Sequence, residues 1–385
     1  MMNHPAPLIP ALENSKKVVK SWRRLIRFGI VLSLAATILI AVHHEVGSGA
    51  EFLLLAATNS EISADEISEQ ELSIRNGDRE LVLRVYRPRG GFERTVLIAH
   101  GVHYLGIHDE RFMDFCRRIA QAGFAVVTPD LEDLKSYDLK GRSVFDLQTA
   151  GKWILGQPDL MAPADDGKFS MMGISFGGGM ALSAAALPDL RDKVSAVFSF
   201  GGHGDLDRTI SYLVTGEGED GPGSPHVYGQ AVLMRKLAPR LVPASEVEDF
   251  RAALDAYLQG REDEVIDQLE NCGTATRQLL DHCLERRASV LAEKLSPLIR
   301  KGEFDKILSP VQGPVPACPI FLLHGARDNV VPPSEARAVQ QWARSSTQVE
   351  AIISEQVIHV EFSDDLPTPG EVWALASFLT SFLES

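Results

Sequence analysis

The most constraining feature of this chain is the pentapeptide at 173–177, which reads Gly-Ile-Ser-Phe-Gly and follows the pattern G-x-S-x-G. An apolar run before it predicts a buried strand, and an alanine-rich run after it predicts a helix. A strand that turns at once into a helix leaves no room for bulky neighbours, so Gly173 and Gly177 remove Cβ atoms that would collide. The turn presents the Ser175 hydroxyl at a helix N-terminus, where free N–H groups favour developing negative charge.

Two further reactive side chains follow the serine in the order acid, then base. Asp328 and His359 each lie in a loop that comes after an apolar run typical of a buried strand. A serine nucleophile needs an imidazole as its base and a carboxylate that orients the imidazole. Ser175, Asp328 and His359 are therefore the candidate triad, although Glu361 is a second carboxylate that competes with Asp328 for the imidazole.

A His-Gly pair follows an earlier predicted strand. The strand covers residues 94–99, and His100 and Gly101 come directly after it. Together with the serine pentapeptide and the later acid and base, this pattern resembles the α/β-hydrolase superfamily, in which the three groups follow successive strands in this order. The resemblance covers roughly residues 70–205 and 310–385.

The resemblance implies a role for each of these residues. Ser175 is the expected nucleophile, His359 the general base and acid, and Asp328 the group that orients the imidazole. The N–H groups of Val102 and Phe176 are the expected oxyanion hole, the pair of donors that stabilises the tetrahedral intermediate.

Four side chains after the third strand raise the hypothesis of a metal site: His100, His103, His108 and Asp109. Their spacing fits no zinc pattern, so we expect loop histidines that bond to the backbone or border a pocket, with neither metal nor cofactor. We interpret His203, which also follows a predicted strand, as a pocket wall. We expect a structural role for His324.

Strands and helices alternate along most of the chain, which predicts an α/β fold with a mostly parallel sheet covered on both faces. Residues 206–309 interrupt this alternation with helical periodicity, and Ser245 with Glu248 predicts a capping box there. We expect residues 206–309 to form an all-helical lid inserted before the seventh strand. The alternative is a helical embellishment packed away from the site.

The N-terminus carries a second signal. Residues 1–27 contain six Lys and Arg, residues 28–42 are apolar and uncharged, and residues 43–69 have the mixed composition of a linker. Such a run suits a membrane anchor or the apolar core of a signal peptide, and its basic flank stays in the cytoplasm. We expect a membrane-anchored protein whose catalytic part is periplasmic or extracellular. The alternatives are secretion after signal cleavage and a buried core helix.

Charge and cysteine content limit the partners. The formal net charge is −14, and an acidic surface repels nucleic acid, so we exclude nucleic-acid binding. Four cysteines are too few for a disulfide framework. Cys272 and Cys283 either pair in an oxidising compartment or remain as two unlinked helical cysteines, whereas Cys116 and Cys318 have the character of small core residues.

These features predict a serine hydrolase that cleaves carboxylic esters of small molecules through an acyl-enzyme intermediate. A peptidase or amidase with the same triad is the first alternative, because both reactions are acyl transfers. An alternative of another class is a catalytically silent, membrane-tethered binding protein.

Overall fold

A β-hairpin comes first in the main body of the computed structural model, which describes residues 47, 49, 66–161, 166–285, 288–299, 302–362 and 367–385. Strands β1 (Ile67–Asn76) and β2 (Arg79–Pro88) pair antiparallel. The turn between them contains Gly77 at a φ of 66°, which glycine adopts without the steric cost that a Cβ brings. The hairpin is closed by the pairing of Asn76 with Arg79, which leaves two residues in the turn.

Six more strands join the hairpin in one eight-stranded sheet with the order β1-β2-β4-β3-β5-β6-β9-β10. They are β3 (Arg94–Ala99), β4 (Phe124–Pro129), β5 (Phe169–Ile174), β6 (Val194–Phe200), β9 (Ile320–Gly325) and β10 (Val349–Ser354). Strand β4 is antiparallel to β2, and every later pair in the sheet is parallel. The predicted fold class, a mostly parallel α/β sheet, is confirmed.

Helices cover both faces of this sheet because its central strands are apolar on both sides. In β3, Val96 and Ile98 belong to one buried cluster and Leu97 belongs to the other. The helices are α1 (Glu110–Gln121), α2 (Glu132–Lys135), α3 (Arg142–Leu155), α4 (Phe176–Ala185), α11 (Ser334–Ala343) and α12 (Pro369–Leu383). Burial on both faces is the pattern expected of parallel strands.

The segment between β6 and β9 is mainly helical. It contains α5 (Leu206–Thr215), α6 (Val227–Leu241), α7 (Val247–Leu258), α8 (Glu262–Gln268), α9 (Thr274–Leu284) and α10 (Ala288–Leu295). We call residues 206–309 the insertion. It is not entirely helical, because two short strands, β7 (Glu217–Gly218) and β8 (Gly221–Pro222), pair within it.

The predicted capping box at Ser245 is wrong. A 3₁₀ turn, Ala244–Glu246, occupies that position, and α7 begins after it without a side-chain cap. The reciprocal bonds of a capping box instead join Thr368 and Glu371 at the start of α12. The 3₁₀ turn thus takes the place of the cap, although the spacing of Ser245 and Glu248 is otherwise a good signal for a capping box.

All four cysteines are buried and free, so Cys272 and Cys283 are unlinked in this structure. The predicted basic segment 1–27 and apolar run 28–42 lie outside the described residues. Within the described residues, no helix combines the length and apolar character that crossing a bilayer requires. From the predicted linker, the Gly49 N–H donates to Thr380 Oγ1 on α12 at 3.0 Å.

Candidate active site

Ser175 lies at the sharp turn between β5 and α4. Its backbone has φ 55° and ψ −129°, a conformation that non-glycine residues rarely adopt and that clusters at active sites. A Cβ on Gly173 would overlap the Gly177 carbonyl, and a Cβ on Gly177 would overlap the His100 carbonyl. The two glycines of the pentapeptide are thus required by backbone contacts, as the sequence predicts.

The structure brings the three predicted catalytic side chains into one hydrogen-bonded chain. His359 Nε2 lies 2.8 Å from Ser175 Oγ, and His359 Nδ1 lies 2.7 Å from Asp328 Oδ2. His359 occupies the tight turn between β11 (Val357–Ile358) and β12 (Glu361–Phe362) with a φ of 54°. The hydrogen on Nδ1 of the imidazole is donated to Asp328.

Asp328 is held as a carboxylate by its surroundings. Its Oδ1 accepts the N–H groups of Val330 and Val331 at 2.8 and 2.9 Å, and its Oδ2 lies 3.3 Å from His324 Nε2. Burial opposes ionisation, but His359 and the hydrogen bonds from His324 and His359 outweigh it and hold the pKa of Asp328 far below its usual value. His324 Nε2 also donates to the Val331 carbonyl at 2.8 Å, so its ring joins the acid to the loop that follows it; nothing near His324 in the sequence marks either contact.

Val102 and Phe176, the residues predicted to form the oxyanion hole, line the same cavity as Ser175. Phe176 is the first residue of α4, and a Cβ on Gly101, which precedes Val102, would lie 3.2 Å from the Ser175 Cβ. Within the described residues, neither the Val102 nor the Phe176 N–H donates to a protein acceptor. Two free donors beside the nucleophile are available for a developing negative charge.

His100 fixes the peptide that carries the Val102 N–H. Its Nε2 accepts the Leu131 N–H at 3.0 Å, so Nδ1 bears the hydrogen that donates to the Gly101 carbonyl at 2.7 Å. The side chain is buried, which lowers its pKa and keeps the imidazole neutral. His100 is a structural part of the turn, as the sequence analysis expected.

A cavity of about 530 Å³ opens beside Ser175. Its wall is predominantly apolar, and both the core and the insertion contribute to it. The apolar residues from the insertion are Ile210, Leu213, Val232, Leu233 and Phe304; those from the core include Phe112, Phe115, Leu139, Phe200 and Val360. A volume of this size suits a small molecule.

The insertion also touches the catalytic loops through polar contacts. The Tyr228 hydroxyl donates to the Val102 carbonyl at 3.0 Å. The His226 N–H donates to the Asn329 carbonyl at 2.8 Å, and Asn329 Nδ2 donates to the Ser224 carbonyl at 3.2 Å. None of these contacts has a local sequence signal, because each joins residues far apart in the chain.

The remaining predicted histidines have other partners. His103 borders the cavity and lies 3.1 Å from Asp109, whereas His108 lies 3.2 Å from Glu71. His203, predicted as a pocket wall, is fully buried, and its Nε2 donates to the Leu308 carbonyl at 2.7 Å. Its ring packs against the Phe176 ring, with centroids 5.0 Å apart. This contact is possible because Gly179 on α4 has no Cβ, so the loop that follows β6 can approach the helix closely.

Comparisons with known proteins agree with this architecture. A sequence model of the family described as "alpha/beta hydrolase fold" matches residues 95–361. A comparison with curated proteins gave no match.

Several solved structures are similar in fold. A dienelactone hydrolase from Anabaena variabilis has 18% identity, with 83% of this chain and 97% of that chain covered, at a TM-score of 0.44. An esterase from Pyrobaculum calidifontis has 17% identity over 89% of this chain and 92% of that one, at a TM-score of 0.46. An acylaminoacyl peptidase from Pyrococcus horikoshii has 15% identity over 76% of this chain and 38% of that one, at 0.43.

Proposed function

Because the chain belongs to the α/β-hydrolase family, we propose that it is a serine hydrolase that cleaves carboxylic esters through an acyl-enzyme intermediate. The observation that carries this proposal is the continuous chain of hydrogen bonds from Ser175 through His359 to Asp328, at 2.8 and 2.7 Å. A serine hydroxyl is a weak nucleophile unless an oriented imidazole removes its proton. Here the oriented imidazole is already in contact with the hydroxyl.

Each step of the proposed reaction has a group in place. Ser175 Oγ attacks the ester carbonyl while His359 Nε2 takes its proton, and the resulting oxyanion accepts hydrogen bonds from the Val102 and Phe176 N–H groups. His359 then returns the proton to the leaving alcohol. Water repeats the cycle on the acyl-enzyme, and the ionised Asp328 stabilises the imidazolium in both halves.

The largely apolar wall of the cavity supports an ester over a peptide as the proposed substrate. A peptide carries N–H and C=O groups on both sides of the bond to be cleaved, and each loses free energy when it is buried without a partner. The wall around the triad is formed largely by apolar side chains, including Phe112, Phe115, Val232 and Phe304. An ester with apolar substituents brings fewer polar groups to such a wall, in which the charged residues are Asp109, Arg111 and Lys236. A peptidase or amidase with the same triad is the second candidate.

A labelling and turnover experiment tests the proposal. We expect an alkyl fluorophosphonate to label Ser175 in the wild-type protein and not in Ser175→Ala. We also expect nitrophenyl esters to be hydrolysed much faster than aminoacyl anilides. Labelling with faster anilide hydrolysis would favour the peptidase or amidase. Absence of both labelling and hydrolysis would favour the silent binding protein.

We also propose that the apolar run at 28–42 anchors the protein in the cytoplasmic membrane, with the catalytic part on the outer side. The support is the basic flank at 1–27, which remains in the cytoplasm. In cell fractions, the full-length chain should then resist extraction by high salt, which weakens electrostatic attachment but not a buried apolar helix. A mature protein that begins near Glu51 would show a cleaved signal instead.

A further inference from the structure

A short segment of the insertion joins two catalytic loops. We call residues 224–228 the strap. At one end its backbone bonds to Asn329, the residue next to the catalytic acid, and at the other end the Tyr228 hydroxyl bonds to the Val102 carbonyl. The strap therefore connects the loop of the acid with the loop that carries an oxyanion donor.

The bond from Tyr228 complements the bond from His100. His100 fixes the carbonyl of Gly101, which shares a peptide plane with the Val102 N–H. Tyr228 fixes the carbonyl of Val102, which belongs to the next peptide. With both peptides held, the backbone on either side of the Val102 Cα has little freedom to rotate, so the direction of its N–H is set before substrate binds.

The Tyr228 hydroxyl suits this task. Burial raises its pKa well above the usual value, so the phenol remains a neutral donor at any working pH. The Tyr137 ring contacts the Tyr228 ring edge-on, with centroids 6.5 Å apart, and Tyr137 is itself buried. The hydroxyl that bonds to Val102 thus belongs to α6, a helix of the insertion.

We propose that Tyr228 is a positioning residue of the oxyanion hole, through which the insertion contributes to the chemical step as well as to substrate selection. This proposal rests on the proposed function, because it assigns a task within that same site. Preorganised donors stabilise the transition state more than the ground state, so their loss appears in kcat and not in KM. A residue that served only as a cavity wall would mainly change KM for large substrates.

The test compares full-length wild-type protein with Tyr228→Phe, which keeps the ring and removes one oxygen. For nitrophenyl acetate and nitrophenyl hexanoate we expect kcat to fall by the same factor, about tenfold or more, which is less than the 10²- to 10³-fold loss of a donor itself. KM should change by less than about twofold. The rate of fluorophosphonate labelling should fall in parallel, since it also builds charge in the oxyanion hole.

Tyr86→Phe is the matched control. It removes the same atom from a buried tyrosine on the opposite face of the sheet, outside the cavity, and should leave kcat unchanged. All rates are compared below the melting temperature of the least stable protein. If the wild type neither hydrolyses esters nor reacts with the phosphonate, the proposed function fails. If the wild type is active, equal kcat in Tyr228→Phe, or a loss confined to KM for the hexanoate, overturns the role of Tyr228 alone.

Discussion

The loops at the carboxyl edge of the sheet and the insertion contribute to the same site in different ways. On the sheet, position comes from the backbone: Ser175 and His359 both have positive φ angles that their surroundings impose. In the insertion, position comes from side chains that pack across long sequence distances, such as Val232 in the cavity wall and Tyr228 at Val102. The turns that carry Ser175 and His359 are thus set by local backbone geometry, whereas the contribution of the insertion depends on packing between distant segments.

The strongest test of the local side of this comparison is removal of the nucleophile. Ser175→Ala should reduce kcat for nitrophenyl esters by on the order of 10⁶-fold while the thermal unfolding transition persists, because the hydroxyl contributes to catalysis and little to packing. Steady-state kinetics with calorimetry measures both. Ser183→Ala, which truncates a buried serine further along α4, is the control and should retain activity. Substantial turnover by Ser175→Ala would place the nucleophile elsewhere.

Removal of the acid should have the next largest effect. Asp328→Asn should lower kcat by at least about 10³-fold, because the amide no longer stabilises the imidazolium or holds the productive tautomer. Glu361→Gln should stay within about twofold of the wild type. The assay is ester hydrolysis at pH 7 to 8. The reverse ranking of these two variants would show that Glu361 is the orienting carboxylate.

Sequence reasoning recovered the parts of the molecule that have local signals. The glycines around Ser175 are required by backbone contacts within a few residues, and Asp328 and His359 each follow an apolar run that is visible in the sequence. The mostly parallel pairing of the sheet also agrees with the alternating pattern of strands and helices.

The sequence did not reveal the contacts that depend on how distant segments meet. Tyr228 is one polar residue on an amphipathic helix, and nothing near it in the chain marks Val102 as its acceptor. His203 has the same flanking glycines whether it lines a pocket or packs behind Phe176. Ser245 satisfies a capping pattern, but it lies inside the 3₁₀ turn Ala244–Glu246. The residue that directly precedes α7 is therefore Glu246.

A substitution in the insertion tests the long-range side of the comparison. Val232→Phe narrows the cavity, so kcat/KM for a nitrophenyl octanoate should fall about tenfold or more, while nitrophenyl acetate changes by less than about threefold. A series of esters of increasing chain length measures the ratio. Val372→Phe, at an exposed position on α12, is the control. Equal losses for all chain lengths would mean that this wall does not select substrates.

The free energy of unfolding should depend on pH through His203, which lies between Phe176 and Leu308 of the insertion. Burial lowers the pKa of His203, so between that lowered value and about 6.5 the unfolded state binds more protons than the folded state. Stability should therefore fall as the pH drops below about 6.5. In His203→Gln this fall should be shallower by up to about 1.4 kcal/mol per pH unit. Urea unfolding at pH 7.5 and 5.5 measures how the free energy of unfolding changes with pH in each protein. Equal changes in the wild type and in His203→Gln would show that His203 is not the responsible group.

The smallest effect should come from removing the N-terminal segment. A protein that starts at residue 60 should keep kcat within about twofold, since Ser175, Asp328 and His359 all lie far beyond it. It loses the bond from Gly49 to Thr380, so its melting temperature should fall by a few degrees, as expected for about 1 kcal/mol. A large loss of activity would show that the N-terminal segment supports the site.

The buried cysteines allow local opening of the sheet and local opening of the insertion to be measured separately in the intact protein. Burial raises the pKa of Cys318, two residues before β9, and of Cys283, on α9 in the insertion, to about 12 in each case. Thiol reagents attack only the thiolate, so neither side chain reacts until its own surroundings open. The labelling rate of Cys283 then reports local opening of the insertion, and the labelling rate of Cys318 reports local opening of the sheet. The ratio of the two labelling rates measures whether the insertion opens independently of the sheet.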